Sequence, residues 1–264
     1  MKISICIPTY NRVCYLDKLF KSLLLNKGLD EVEVIVIDDG STDSTKTLID
    51  SYSSLSEIKI VYHYQENAGR GVALKRAIEF ATGDYTMLMD SDDFFLPDCI
   101  EKIFLEIDTH KDFSGFIFLC QDTNYKVIGT KFPNGLAQAN LVELYADYNV
   151  SGDKKEVVKT EYVKKRLYDN KYNERRVPTS LLWTNISKDI SFILVNKPVV
   201  IKDYLLEGMT KNLIKLQRKS PHGMFLLNRD RLLFYKYKSL RVRLKSFVGM
   251  SYYGVLTLCK YKRL

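Results

Sequence analysis

The feature that most restricts the fold is a regular alternation of strand-like and helix-like segments over the first ninety residues. Ile3, Ile5 and Ile7 alternate with smaller residues, which predicts a strand stopped by Pro8. Leu16, Leu19, Phe20, Leu23 and Leu24 recur at helical spacing ahead of a stop at 26–28. Residues 32–37 are almost all apolar, the pattern of a strand buried on both faces in a parallel sheet. Residues 41–43 can cap a helix running to about Tyr52, and Ile58, Ile60 and Tyr62 predict a third strand. After the loop NAGRG at 67–71, residues 72–82 read as a helix, Gly83 as its left-handed terminus and 85–89 as a fourth strand. Right-handed crossovers between such units give an α/β, doubly wound, mainly parallel sheet with helices on both faces.

Ligands of such sheets sit beyond the carboxyl ends of the strands. Here those ends carry PTYN, DDGSTD, the loop into NAGRG, and DSDD, so acidic and turn-forming residues gather at one edge. Crowded carboxylates repel one another, and a divalent cation relieves them. Asp90, Ser91 and Asp92 form an acid-x-acid unit with oxygen donors suited to Mg2+ or Mn2+, whose shell substrate phosphates complete. The alternative is that DSDD caps the helix following Pro97. Asp38 can serve the turn alone, whereas Asp39, nearer the loop tip, can accept from a base N–H or a ribose hydroxyl. No GxxxxGK[ST] loop is present and NAGRG is not GxGxxG, which points to nucleotide binding by acid and metal.

The second half is less regular. Residues 98–108 read as a helix and 113–120 as a strand, while 155–167 place Val157, Val158, Tyr162, Val163 and Leu167 on a basic background. Trp183, the only tryptophan, can stack on a sugar or fill a core; His63, His110 and His222 are isolated and read as structural. Five cysteines without CxxC spacing indicate neither a disulfide framework nor a zinc site. No signal-peptide pattern and no apolar run of about 20 residues is seen, so a cytoplasmic protein is expected.

The net charge of +8 is concentrated. From Arg229 onward ten Lys and Arg face Asp230 alone, interleaved with Tyr, Phe and Leu. A helical, basic extension of this kind fits peripheral contact with the inner face of a membrane; a solvated helical pair is the alternative, and nucleic acid the least favoured partner.

The ordered succession ICIPTYNR, VIVIDDGSTDST, NAGRGVALKRAIEFATGDY and MLMDSDD resembles the family 2 glycosyltransferases of GT-A fold, over roughly the first 110 residues. The resemblance implies a metal-dependent enzyme that moves a sugar, with inversion, from a nucleoside diphosphate sugar, UDP-sugar foremost. The acceptor would be a hydroxyl of a glycan or lipid-linked acceptor in surface polysaccharide synthesis. It implies that Pro8, Thr9 and Tyr10 line the base pocket, that Asp39 binds the base, that Asp90 with Ser91 lies near ribose and sugar, and that Asp92 ligates Mn2+ or Mg2+. Gly69 and Arg70 belong to the same donor loop; relatives carry Arg and Asn where this chain has Leu74 and Lys75, so either Arg70 or Lys75 contacts the diphosphate. The run GDKKE followed by NERRVPTSLLW resembles a subgroup in which Glu174 is the catalytic base, with Asp169 and Asp153 as competitors. KDYLLEGMTKN fits the same subgroup, with no catalytic role for Glu207. On this reading 1–110 is the nucleotide-sugar half, 111–222 the acceptor and catalytic half, and 223–264 the basic tail. A nucleotidyltransferase making the activated sugar, or an inactive membrane-associated scaffold, are the alternatives.

Overall fold

A computed structural model of the protein describes residues 1–55, 58–203, 217–235 and 239–261. Strands β1 (Ile3–Thr9), β2 (Val32–Asp38), β3 (Lys59–Tyr64) and β4 (Tyr85–Leu88) run parallel in the order β3-β2-β1-β4. Helices α1 (Val13–Leu23), α2 (Thr45–Leu55) and α3 (Arg70–Phe80) make the crossovers. Every residue of β1 and β2 is buried, as strands flanked on both edges and covered on both faces require. The β1–β2 register ends with Thr9 level with Asp38, so the two following loops leave the sheet side by side.

The sheet then continues through β5 (Asp93–Phe95), β6 (Gly115–Gln121), β7 (Gln138–Ala139), β8 (Lys154–Lys159) and β9 (Phe192–Lys202). The full order is β3-β2-β1-β4-β8-β6-β9-β5, with β7 on β9. β8 enters antiparallel between β4 and β6, and β5 and β7 lie antiparallel to β9. The parallel character therefore belongs to the first four strands and to β6–β9. The segment 155–167 resolves into β8 followed by α6 (Thr160–Lys165). Val157 and Val158, adjacent and fully buried, point into the two different cores on either side of the sheet. One core packs α1 and α4 (Cys99–Thr109); the other packs α3, α5 (Leu141–Ala146) and α7 (Thr179–Ile186), and Trp183 is part of it.

Two local expectations are corrected. Pro8 lies inside β1, opposite Ile37. The β1–β4 ladder has already ended at Cys6 and Leu88, so on that side no N–H is required of it. Gly83 is not in the left-handed region; α3 ends at Phe80, and Ala81 turns the chain out of the helix with φ −59° and ψ 127°. A glycine is needed at 83 for space, because a Cβ there would stand 2.8 Å from the carbonyl oxygen of Lys2.

Beyond β9, α8 (Pro221–Phe234) leans on α7 through Val177, Leu181, Met224 and Leu227. The long α9 (Leu240–Tyr261) packs on α8 at close range. A Cβ at Gly249 would meet Asn228 at 2.5 Å, and one at Gly254 would meet Phe225 at 3.3 Å. The opposite face of α9 leaves Leu240, Leu244, Phe247, Val248, Val255 and Leu258 more than half exposed. Their spacing places them on one stripe of the helix. Of the tail's basic residues, Lys236, Lys238, Lys262 and Arg263 lie outside the described residues, as does Glu207.

A buried carboxylate ties three elements together. Glu33 of β2 is 1% exposed and accepts from the Ser4 hydroxyl at 2.7 Å, the Thr82 N–H at 2.7 Å and the Gly83 N–H at 3.1 Å, with Lys2 and Lys59 beside it. Burial raises its pKa, but the bonds from Ser4, Thr82 and Lys2 outweigh this and hold it well below its usual 4.5. A group depressed in this way stabilises the fold above about pH 4.5 and ceases to do so as pH falls toward the folded-state value. Glu33→Gln is expected to cost about 2–3 kcal/mol at pH 7, since an uncharged N–H2 group would replace the oxygen that faces Lys2 and Lys59. It should also flatten the fall of melting temperature below pH 4.5, measured by calorimetry across pH.

Candidate active site

At the carboxyl edge of the sheet, Asp38 and Asp39 divide two tasks. Asp38 is 1% exposed and accepts from the Ser41 N–H at 2.8 Å and the Tyr62 hydroxyl at 2.9 Å. It closes the turn after β2. Asp39 reaches sideways to the loop before α3, where its carboxylate takes the N–H groups of Ala68 and Gly69 and the Gln65 amide, each at 2.8 Å. Three of about four acceptor positions are thereby filled, leaving one for a donor group of a ligand.

Gly69 sits at φ +99°, and a Cβ on it would stand 2.3 Å from the Arg175 carbonyl oxygen. Only glycine serves there, both for the left-handed backbone and for the contact. The loop thus aims Arg70, the first residue of α3, across the edge of the sheet. Its Nε lies 3.0 Å from Asp90 Oδ1, its Nη2 bonds the same oxygen, and its Nη1 donates to the Thr179 hydroxyl at 2.9 Å. Lys75, one turn further along α3, stands 4.0 Å from Glu79 instead. Of the two candidate cations, Arg70 is the one the structure brings to the carboxylates.

Asp90, Asp92 and Asp93 follow β4 in one turn, and each has a cation from a different element. Lys202 Nζ lies 2.7 Å from Asp93 and 3.6 Å from Asp90; Lys155 Nζ is 3.8 Å from Asp93; Arg12 Nη1 is 3.0 Å from Asp92. Burial pushes Asp90 upward, but Arg70, Lys202 and Lys155 hold it well below the usual carboxylate range. In Asp93 burial prevails over the two lysines, with Asp90 adding to it, and the group is pushed up to about 6. The expectation that a metal ion alone relieves this crowding needs revision, because side chains of the protein supply much of the counter-charge. DSDD does not cap the next helix; α4 begins at Cys99 with Asp98 as its flanking residue.

The donor set still fits a divalent ion. The side chains of Asp90 and Asp92 are 34% and 27% exposed, and a hard oxygen pair of this kind suits Mg2+ or Mn2+ when substrate phosphates supply further ligands. Among the described residues no group of three or more His, Cys, Asp or Glu could hold a metal ion. Around this center, Pro8, Thr9 and Ser91 are buried and Tyr10 is 47% exposed, and the Thr9 hydroxyl has no partner among the described residues.

The structure places Glu174 differently from the base that the resemblance implies. It is 2% exposed, and its carboxylate accepts from the N–H groups of His222 at 2.9 Å and Gly223 at 2.8 Å and from the Tyr261 hydroxyl at 3.1 Å. These partners anchor the N-terminus of α8 and the last described turn of α9. Asp169 is exposed. Asp153 instead joins the cluster, its Oδ2 3.9 Å from Lys202 Nζ. His63 stacks on Phe80 and His222 packs against Tyr172. The reading of the sequence missed Arg12, Lys155, Asp93, Lys202 and Thr179. Arg12 was visible as the last residue of ICIPTYNR, but nothing local marks Lys202, which reaches Asp93 by β5–β9 pairing.

The sheet, with helices on both faces and an acidic, cation-balanced edge, has the GT-A fold. The family model "Glycosyl transferase family 2" matches residues 4–173, and the chain belongs to that family. It is 32% identical over 123 residues to the putative teichuronic acid biosynthesis glycosyltransferase TuaG of Bacillus subtilis, a match spanning 46% of this chain and 48% of that one. The matched stretch thus covers about half of the relative's length. S. aureus TarS 1–349 in complex with UDP-GlcNAc superposes with a TM-score of 0.68 at 20% identity, over 98% of this chain and 73% of that one. The mannosyltransferase PcManGT of Pyrobaculum calidifontis, in complex with GDP-Man and Mn2+, gives 0.62 at 13% identity, over 98% and 74%. Family membership favours sugar transfer over the nucleotidyltransferase alternative.

Gly69→Ala is expected to destabilise the protein by about 2–3 kcal/mol through backbone strain and the clash with Arg175. It should weaken nucleotide binding in parallel, since the N–H groups that Asp39 holds would shift. Thermal melts with and without UDP and Mn2+ check both.

Proposed function

We propose that the protein transfers a sugar from a nucleoside diphosphate sugar, UDP-sugar foremost, to a hydroxyl of a glycan or lipid-linked acceptor in surface polysaccharide synthesis, with inversion at the anomeric carbon. The observation that carries this is the edge-on cluster of Asp39, Asp90 and Asp92, tied through the Gly69–Arg70 loop. Family membership and the nucleotide-sugar complexes of TarS and PcManGT support it.

In this reading Pro8, Thr9 and Tyr10 border the base, Asp39 offers its remaining acceptor position to a base N–H, and Asp90 with Ser91 borders the ribose and sugar. Asp92, with Asp90 beside it, would hold the divalent ion, which supplies positive charge against the departing diphosphate. Arg70 adds a fixed guanidinium whose donors match phosphate oxygens, and its bonds to Asp90 and Thr179 hold it in place before substrate arrives.

An acceptor hydroxyl must lose its proton as it attacks, and a positioned carboxylate contributes about 10²–10⁴ in rate. The resemblance gives this role to Glu174. The geometry favours Asp153, half-exposed and at the cluster through Lys202, while Glu174 acts as an anchor. The exposed apolar stripe of α9, with Arg241, Arg243 and Lys245 along the same helix, supports peripheral attachment to an anionic membrane on the cytoplasmic side. No described helix is long and apolar enough to cross a membrane.

UDP binding is expected to depend on Mn2+, and Asp92→Asn to weaken the Mn2+-dependent part at least about tenfold by calorimetry. Failure of the wild type to bind any of UDP, GDP or TDP in the presence of Mn2+ would overturn the assignment. Asp153→Asn should lower sugar transfer by about 10²–10⁴ while sparing UDP affinity. Glu174→Gln should lower the melting temperature, because the amide N–H2 replaces one of the two oxygens that accept from His222 and Gly223. If Glu174→Gln kept full stability and lost transfer, the roles would be exchanged.

A further inference from the structure

Beside the donor site lies a cavity of about 690 Å3, between the segment 176–180, α8 and α9. Its size is that of a small-molecule site. Among the described residues four cationic side chains line it, Arg70, Arg176, Arg231 and Lys245, and no Asp or Glu does. Arg70 is shared, since it also bonds Asp90, so the cavity adjoins the place where a donor sugar would sit.

The charge of Arg176 is the informative one. Its Nη1 is shielded from solvent and has no hydrogen-bond partner among the described residues. Burial and the charge of Arg70 both weaken its hold on a proton, against which Asp90 acts. A guanidinium stays charged in proteins, and a shielded one without an acceptor is costly, so the site is built for an anion that arrives from outside. Neither Asp39 nor Asp92 is among the residues that line the cavity, and Arg70 is the one donor-side residue it shares. Val248 and Tyr252 form part of its wall, and Val248 also belongs to the exposed apolar stripe of α9.

We infer that this cavity is the acceptor subsite and that the acceptor carries a phosphate or diphosphate group, bound by Arg176 together with Arg231 and Lys245. The inference rests on the transferase reading above and adds the chemical class of acceptor to it. Arg and Lys suit phosphate oxygens through charge-assisted bonds. The phosphate can belong to a lipid-linked acceptor, whose chain would leave along Val248 and the stripe of α9, or to a water-soluble phosphorylated glycan.

The test uses the full chain with UDP and Mn2+ at saturation, so that the donor site is filled, and titrates decyl phosphate, glycerol phosphate and decyl maltoside by calorimetry. Binding of the phosphate probes, weakened at least about tenfold in Lys245→Gln and in Arg176→Gln, supports the subsite. Lys245 is exposed, so its substitution leaves a folded protein should Arg176→Gln not fold. Decyl phosphate binding at least about tenfold tighter than glycerol phosphate identifies the lipid-linked source; equal binding identifies the soluble one. Unchanged affinity for phosphate probes in Lys245→Gln, or decyl maltoside binding as tightly as decyl phosphate, overturns the inference. So does a loss of UDP affinity in Arg176→Gln, which would give the arginine to the donor. Because UDP binding is measured first, its absence in the wild type would count against the transferase reading rather than against the subsite.

Discussion

Charge balance at one edge of the sheet is the constraint on which the rest of the structure depends. Asp90, Asp92 and Asp93 crowd into a single turn, and their counter-charges come from the loop after β1, the start of α3, β8 and β9. A pair of unit charges about 4 Å apart near a protein surface is worth roughly 4 kcal/mol before desolvation is subtracted. Much of that is offset by removing the ions from water, so the net gain is modest, but breaking one member of such a cluster is expensive. The carboxylates therefore hold the first half of the sheet against the second. That is why the four parallel strands and the later mixed strands form one sheet with a common edge.

The first four strands and their helices were legible in the sequence because each obeys a local rule. Buried strands read as apolar runs, helices as stripes at positions such as Leu16, Leu19 and Leu23, and turns as acid and glycine. Asp39, Gly69, Arg70, Asp90 and Asp92 were likewise visible, because short-range spacing puts them at the ends of strands. The misses came from interactions with no local signature. Lys202 meets Asp93 across 109 residues, and Lys155 is one of many lysines until β8 slots between β4 and β6. Pro8 looked like a strand terminator because its effect depends on where the neighbouring ladder stops, which only the register reveals. Glu174 carried a resemblance, yet its surroundings are made by α8 and α9, whose approach the sequence around it does not encode.

The division of labour among carboxylates is equally physical. Asp38 and Glu33 are consumed by backbone and hydroxyl donors and hold strands and turns. Asp39 spends most of its capacity fixing the loop that delivers Arg70. Asp90, Asp92 and Asp153 keep solvent access, and access is what distinguishes a group able to exchange ligands or protons from one locked into the frame.

The bond between Tyr261 and Glu174 joins parts of the chain far apart in sequence. The residue after Glu174 presses its carbonyl oxygen on Gly69, and Gly69 gives its N–H to Asp39, so a short relay runs from the final described turn of α9 to the loop that Asp39 holds. Such coupling is reciprocal. On the proposed function, any free energy that a bound nucleotide spent on tightening the loop would reappear as a firmer seat for α9, and a surface holding α9 would alter the grip on nucleotide by the same amount. The helix is in this sense a lever arm, with its fulcrum at a single carboxylate.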